Sequence, residues 1–357
     1  MGGPQQDDGR GTGTSPPLDQ ERSRGALLGL AVGDALGTTL EFSEPRAPAF
    51  PQLAAGPHAQ ILGGGPFRLV AGQVTDDTQM ASCLAASVAA CGRLDVDDVA
   101  RRYVAWQEHA FDVGNQTAAA LNAIREGTSP SESGKQVWLG ASQPPAGNGS
   151  LMRTAPIGVL LAGDAAARRS AALAESAITH YDPRCRLACA AFDAAVAEGV
   201  LGAGSAGALR EAARRELWPA ASLLRREGGE GAAALSSAVR DLEEDLDLAG
   251  RADPQLYGPA VHLHRQKGWV RVAFRLAFWE LLHAPSWTAA VLDAVNRGGD
   301  ADTNGAIVGA LLGALHGEAA IPEAWRQLVL DAVPREEGPL RDAYHPRTLL
   351  AALGAGA

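Results

Sequence analysis

Cysteine is scarce in this 357-residue chain: Cys83, Cys91, Cys185 and Cys189 are all there is. Each pair falls within a stretch patterned as one helix, which excludes a disulfide framework and makes free thiols the expectation. A metal site of Cys185, Cys189 and nearby His180 is the weaker reading. Aromatic residues are only 5% of the chain, and bases are outnumbered 31 to 41, for a formal net charge of −10. That balance argues against broad electrostatic binding to nucleic acid or to an anionic membrane. No apolar run reaches the ~18 residues of a membrane span, and residues 1–17 hold no apolar signal-peptide core. A reduced, cytoplasmic protein is expected, and the sequons Asn115-Gln-Thr117 and Asn148-Gly-Ser150 read as chance matches or as carriers of other chemistry. Alternating β-branched runs are also missing, so no strand is expected.

What is present is helix. The spacing of apolar residues predicts helices over about 22–36, 76–91, 95–108, 115–126, 150–162, 165–179, 183–200, 205–226, 233–248, 268–283, 286–296, 302–316, 322–333 and 346–353. Pro and Gly clusters mark 42–74 and 127–149 as loops, and residues 1–20 are expected to be a disordered tail. Residues 202–260 carry strongly charged helices between Gly-rich turns and read as a peripheral insertion. The expectation is one all-α domain over 21–357. Gly202-Ala-Gly204-Ser-Ala-Gly207 fits the dinucleotide fingerprint but follows a helix instead of a strand, so it is read as a helix terminus and loop.

Glycine is abundant: 42 residues, where average usage would give about 25. Gly25, Gly29, Gly33 and Gly37 recur every four residues, as do Gly305, Gly309, Gly313 and Gly317. On a helix such spacing makes a bare ridge. Each interior glycine costs roughly 0.5–1 kcal/mol against alanine, so a compensating gain is needed, and close approach of another backbone supplies one. Acids stand around the ridges: Asp34 within the first, Glu41 just after it, and Asp300, Asp302 and Thr303 opening the second. Thr75-Asp-Asp-Thr78 opens another apolar helix. One such acid is a helix cap. Acids paired closely twice, each pair beside a threonine, repel unless a positive charge lies between them. All the candidate ligands are oxygens, which suits Mg²⁺, Mn²⁺ or Ca²⁺ better than zinc. Helix capping with solvated charge is the other reading that spacing alone leaves open.

These residues also carry a resemblance. Gly25-Ala-Leu-Leu-Gly-Leu-Ala-Val-Gly-Asp-Ala-Leu-Gly37 with Glu41, Thr75-Asp-Asp-Thr78, Gly147-Asn-Gly-Ser-Leu-Met-Arg153, Thr179-His180 and Gly298-Gly-Asp-Ala-Asp-Thr303 occur in that order. Together they resemble the motifs of the ADP-ribosylglycohydrolase superfamily, over about residues 22–317. The resemblance implies a compact all-α fold with a binuclear Mg²⁺ or Mn²⁺ centre in a cleft. It implies metal ligation by Thr75, Asp76, Asp77, Asp300, Asp302 and Thr303, and roles in catalysis for Glu41, Asp112 and Asp302. Asn115, Gly147, Asn148, Gly149, Ser150, Met152 and His180 would bind ADP-ribose. Glycines expose backbone N–H groups there, and a helix starting near Ser150 would aim its positive end at the diphosphate. Arg153 would pair with phosphate or with a site acid. Asp34 is read as structural, ordering the loop toward Glu41. Asp112 is equally well an N-cap of the helix at 115–126, while for His180 a structural role is the weaker reading.

The implied activity is hydrolysis of the bond between ADP-ribose and an acceptor, a protein side chain foremost, by a monomer that needs no membrane and no nucleic acid. Three rivals stand beside it: a non-catalytic binding protein of the same fold, an immunity factor that blocks an ADP-ribosylating toxin, and a two-metal hydrolase of another nucleotide-sugar or phosphoester bond.

Overall fold

A computed structural model describes residues 18–53, 56–143, 145–228 and 231–354. The expected disorder of the N-terminal tail falls on residues 1–17, outside the described residues, and Gln20 already begins a helix. The chain runs through α1 (Gln20–Gly37), α2 (Asp76–Cys91), α3 (Val96–Gln107), α4 (Asn115–Arg125), α5 (Pro130–Gly140), α6 (Ala155–Leu160), α7 (Ala165–Thr179) and α8 (Pro183–Val200). It continues with α9 (Ala206–Glu227), α10 (Ala232–Ala249), α11 (Val270–His283), α12 (Trp287–Asn296), α13 (Ala301–His316), α14 (Glu323–Asp331) and α15 (Pro346–Ala351). Among the described residues β structure is limited to three isolated bridges, Gly64–Leu69, Gly147–Trp269 and Tyr257–His262, and no helix is long and apolar enough to cross a membrane.

The two glycine ridges face each other. Helices α1 and α13 are buried all round, from Gly25 to Gly37 and from Ala301 to Ala314, as expected of helices without a polar face. They run antiparallel, so that Gly25 meets Gly313, Gly29 meets Gly309, Gly33 meets Gly305 and Gly37 meets the backbone of Ala301 and Asp302. A Cβ on any of these glycines would stand well under 3.0 Å from a backbone atom of the opposite helix. The dispersion gained by backbones in contact offsets the helix cost of the glycines. Trp287 of α12 seals the seam, its Nε1 donating to the Gly309 carbonyl at 2.9 Å.

Three local readings change. Residues 127–149, read as a loop, contain α5. Its proline is at the first helical turn after Ser129, where it starts a helix instead of breaking one. The helix read over 150–162 shrinks to α6, because Leu151–Arg153 form turns. The segment 202–260 shares the core: Leu209, Leu217 and Leu224 of α9 and Leu235, Leu242 and Leu246 of α10 lie in the same apolar cluster as α1 and α13. Asp245 of α10, fully buried, accepts from Arg271 Nε and Arg275 Nε of α11, both at 2.8 Å. The charged outer faces of these helices had hidden their leucine stripes. The decoy glycines 202–207 lie where α8 ends and α9 begins. Cys83, Cys185 and Cys189 are buried free thiols, while Cys91 is exposed.

Candidate active site

The antiparallel seam brings the end of α1 beside the start of α13. Asp34 then docks a third helix. Buried on α1, it accepts from Thr75 N (3.1 Å), Thr75 Oγ1 (3.0 Å), Thr78 N (3.2 Å) and Thr78 Oγ1 (2.5 Å). The orphan N–H groups that open α2 are thus capped by a carboxylate from another helix. Asp76 and Asp77 in that first turn are released from capping. The sequence assigned Asp34 to the loop toward Glu41; its bonds go to Thr75 and Thr78. Asp34→Ala strands the two buried N–H groups of Thr75 and Thr78, at about 1–3 kcal/mol each. We expect a loss of roughly 2–5 kcal/mol in urea unfolding, against a smaller loss for Asp34→Asn, which keeps one acceptor.

The acids expected to act together do converge. Thr75 Oγ1 and Thr303 Oγ1 lie 3.1 and 3.5 Å from Asp77 Oδ2. Asp302 Oδ1 accepts from Thr303 N at 2.9 Å, and Asn148 Nδ2 donates to Asp300 Oδ2 at 2.7 Å. Glu41, Asp112 and Asp302 each place an oxygen within 4.8 Å of the others. Burial first, then mutual repulsion, pushes these carboxyls up: Asp112 to about 6 and Glu41 to about 8, with Asp76, Asp77 and Asp302 well above the ordinary range. Burial raises Asp300 as well, with hydrogen bonds from Asn148 and Thr303 the main effects working against the rise. Asp77 Oδ1 and Glu41 Oε2 are buried without a hydrogen-bond donor among the described residues. Orphaned carboxylate oxygens in an all-oxygen cluster fit a hard divalent cation.

Glu41 is fixed by a backbone clasp. Phe42 N donates to Gly299 O and Gly299 N to Ser43 O, both at 2.7 Å. Gly298 and Gly299 have φ of +69° and +74°, and a Cβ on Gly298 would strike Ser43 and Pro45. The glycines before Asp300 are therefore required by geometry as well as by approach.

The cluster forms the floor of a cleft of about 490 Å³, within the roughly 300–1,000 Å³ of small-molecule sites. Of the residues expected there, Glu41, Asp76, Asp112, Asn115, Gly147, Asn148, Gly149, Met152, His180, Asp300, Asp302 and Thr303 line it. Thr75 and Asp77 lie behind that surface and are fully buried. Asp112 is not a cap, since the N-cap of α4 is Gly114. Ser150 is not on the cleft wall: its fully buried Oγ accepts from Ser176 Oγ at 2.9 Å and from Cys189 Sγ at 3.4 Å. Arg153 is also absent from it, fully buried and paired with Glu175.

The helix-dipole expectation for this loop fails as well. No helix starts at Ser150, Gly147 N is taken by Gln116 Oε1 (3.2 Å), and Asn148 N by Gly268 O (2.9 Å). Gln116, Gly268 and Phe42 line the cleft without having been read from the sequence. Gln116 and Phe42 each had one signal, a place one residue after Asn115 and Glu41; Gly268 had none.

A family model described as ADP-ribosylglycohydrolase matches residues 15–352. The chain belongs to the ADP-ribosylglycohydrolase family. It is 32% identical over 331 residues to an ADP-ribosylarginine hydrolase, Tri1, of Pseudomonas putida, covering 88% of this chain and 76% of that protein. It is also 32% identical over 326 residues to the ADP-ribosyl-[dinitrogen reductase] glycohydrolase of Rhodospirillum rubrum, covering 90% and 94%. A solved structure titled as an ADP-ribosylglycohydrolase-related protein complex superposes with a TM-score of 0.67 at 28% identity, over 95% of this chain and 99% of that one. This ADP-ribosylglycohydrolase is a hydrolase of the ADP-ribosyl class, and its all-α fold is the one the motifs implied.

Proposed function

We propose that this ADP-ribosylglycohydrolase is metal-dependent and removes ADP-ribose from arginine side chains of modified proteins. The observation that carries the metal is the pair of buried oxygens, Asp77 Oδ1 and Glu41 Oε2, without a donor among the described residues and set in a cluster of like charges. The arginine linkage is supported by the relatives that act on ADP-ribosylarginine. Two divalent cations, Mg²⁺ or Mn²⁺, would be held by Thr75, Asp76, Asp77, Asp300, Asp302 and Thr303. When bound they supply Lewis-acid polarisation of sugar oxygens.

The chain's own groups do the rest. Asn148, held by Asp300, and the loop Gly147–Gly149 orient the nucleotide with Asn115, Met152 and His180. Glu41 and Asp112, in the floor, are the groups that pass a proton from the attacking water to the departing guanidine nitrogen. The glycosidic C–N bond breaks, water's oxygen bonds to the sugar carbon, and ADP-ribose and unmodified arginine leave.

The test is release of ADP-ribose from a protein modified on arginine, beside one modified on serine. Release is expected from the arginine linkage alone, lost in EDTA and restored by Mg²⁺ or Mn²⁺. Glu41→Gln should slow it by about 10²–10⁴-fold. Full activity in EDTA would overturn the metal reading, and equal rates on serine the acceptor reading. Binding of ADP-ribose with no release from any linkage would favour the non-catalytic rival.

A further inference from the structure

Behind the cleft lies a buried polar chain that the reaction scheme leaves unused. Arg153, without exposed surface, donates from Nε to Glu175 Oε1 at 2.7 Å; the same oxygen accepts from Tyr103 OH at 2.7 Å. The guanidinium lies over the Tyr103 ring, 4.5 Å from its centroid. Its Nη2 donates to Thr179 Oγ1 at 2.7 Å, and that oxygen is 2.8 Å from His180 Nδ1.

The protons in this chain can be assigned. A guanidinium only donates, so Thr179 Oγ1 accepts from Arg153. The hydroxyl has one proton of its own. Among the described residues His180 Nδ1 is the acceptor available to it. Were Nδ1 protonated instead, the hydroxyl proton would be stranded in the core, an arrangement folded proteins avoid. His180 Nε2 has no partner among the described residues. It reaches the cleft between Gly147 and Gly149, where a Cβ on either glycine would crowd it at 3.1 and 3.0 Å.

We infer that Arg153 and Thr179 are positioning residues that hold His180 as its Nε2–H tautomer, a fixed hydrogen-bond donor aimed into the cleft at a phosphate or sugar oxygen. This rests on the reading of the cleft as an ADP-ribose site. The ring stays neutral in this setting, because burial and the Arg153 charge both disfavour a second proton. A histidine held so offers one donor in one direction, which rewards an acceptor oxygen and rejects a donor at the same place. Glycine at 147 and 149 keeps that donor uncovered.

The test uses the full-length protein with ¹⁵N in its histidine rings, the His180 signals being assigned by their loss in His180→Gln. In the wild type and in Thr179→Ser, Nδ1 should show the signal of an unprotonated nitrogen and Nε2 that of a protonated one. In Thr179→Val, isosteric but without a hydroxyl, the two tautomers should mix. Affinity for ADP-ribose by calorimetry should fall about tenfold in Thr179→Val, the weight of one hydrogen bond, and stay near wild type in Thr179→Ser. A protonated Nδ1 in the wild type, or an unchanged ring in Thr179→Val, overturns the inference. If ADP-ribose binds none of the three proteins while the ring signals are as expected, the relay stands and the reading of the cleft falls.

Discussion

Gly33→Ala should be among the most destabilising single substitutions in this protein, costing more than about 4 kcal/mol and leaving little folded material. In an exposed helix the same change would stabilise by up to about 1 kcal/mol. Here the new methyl carbon would meet the Gly305 carbonyl of α13. Backbone has no rotamer to turn aside, so the helices must separate. Overpacking in a core costs typically 1–3 kcal/mol. Separation along this seam adds the loss of the other glycine contacts and shifts Asp302 and Thr303, which ride on the first turn of α13. Gly207→Ala, on an exposed stretch of α9 with nothing within reach of its Cβ, is the control and should be neutral or stabilising. Thermal and urea unfolding of the two variants decides the matter. Equal stabilities would mean that the seam is not held by backbone contact.

Asp77→Asn should have opposite effects with and without metal. Asp77 is fully buried, and burial and neighbouring carboxylates raise its proton affinity. A raised carboxyl binds a proton in the folded state that the unfolded chain has released, so folding weakens as pH rises. For the cluster that window runs from the unfolded value near 4 to the folded values, about 6 for Asp34 and Asp112 and about 8 for Glu41. Asparagine removes one of the repelling charges and keeps an oxygen for the Thr75 and Thr303 hydroxyls. In EDTA at pH 8 the variant should therefore be more stable than wild type, by about 1–3 kcal/mol. Saturating Mg²⁺ or Mn²⁺ should reverse the order, because binding at 100-fold above Kd adds about 2.7 kcal/mol to the wild type while the variant has lost a ligand. Melting curves in chelator and in metal across pH 5–9 give the result. A variant destabilised in both conditions would show that Asp77 is held by its hydrogen bonds and is not strained by charge.

The residues that could be read from the sequence were those whose pattern is local. Period-four glycines announced a bare helix face, and their partners were the other such run. Acids beside threonines at helix starts announced a shared charge problem. The side of a helix, or of a loop, on which a group ends up was not legible. Ser150 and Arg153 sit within a motif whose neighbours line the cleft, yet both turn inward, because Ser176, Cys189, Glu175 and Thr179 offer them partners there. Asp34 looked like an accessory to Glu41; only the tertiary approach of α2 makes it a cap. The leucines of α9 and α10 were masked by the charges between them, and the proline that opens α5 was read as a break when it was a start.

The α1–α13 seam also constrains the order of events at the ribosome. Gly25 and its partner Gly313 are separated by nearly the whole chain. At about 5–20 residues per second, α1 waits on the order of 15–60 seconds after its synthesis before its partner ridge is made. For that interval α2, α6 and α8 can pack on other parts of this apolar helix, but its bare glycine face has no native surface to cover it. Helix α1 is made well before the partner that completes its packing, and the carboxylate cluster, which needs Asp34 and Asp302 together, cannot form before α13. Chains arrested short of α13 should therefore engage chaperones through α1 and bind no metal.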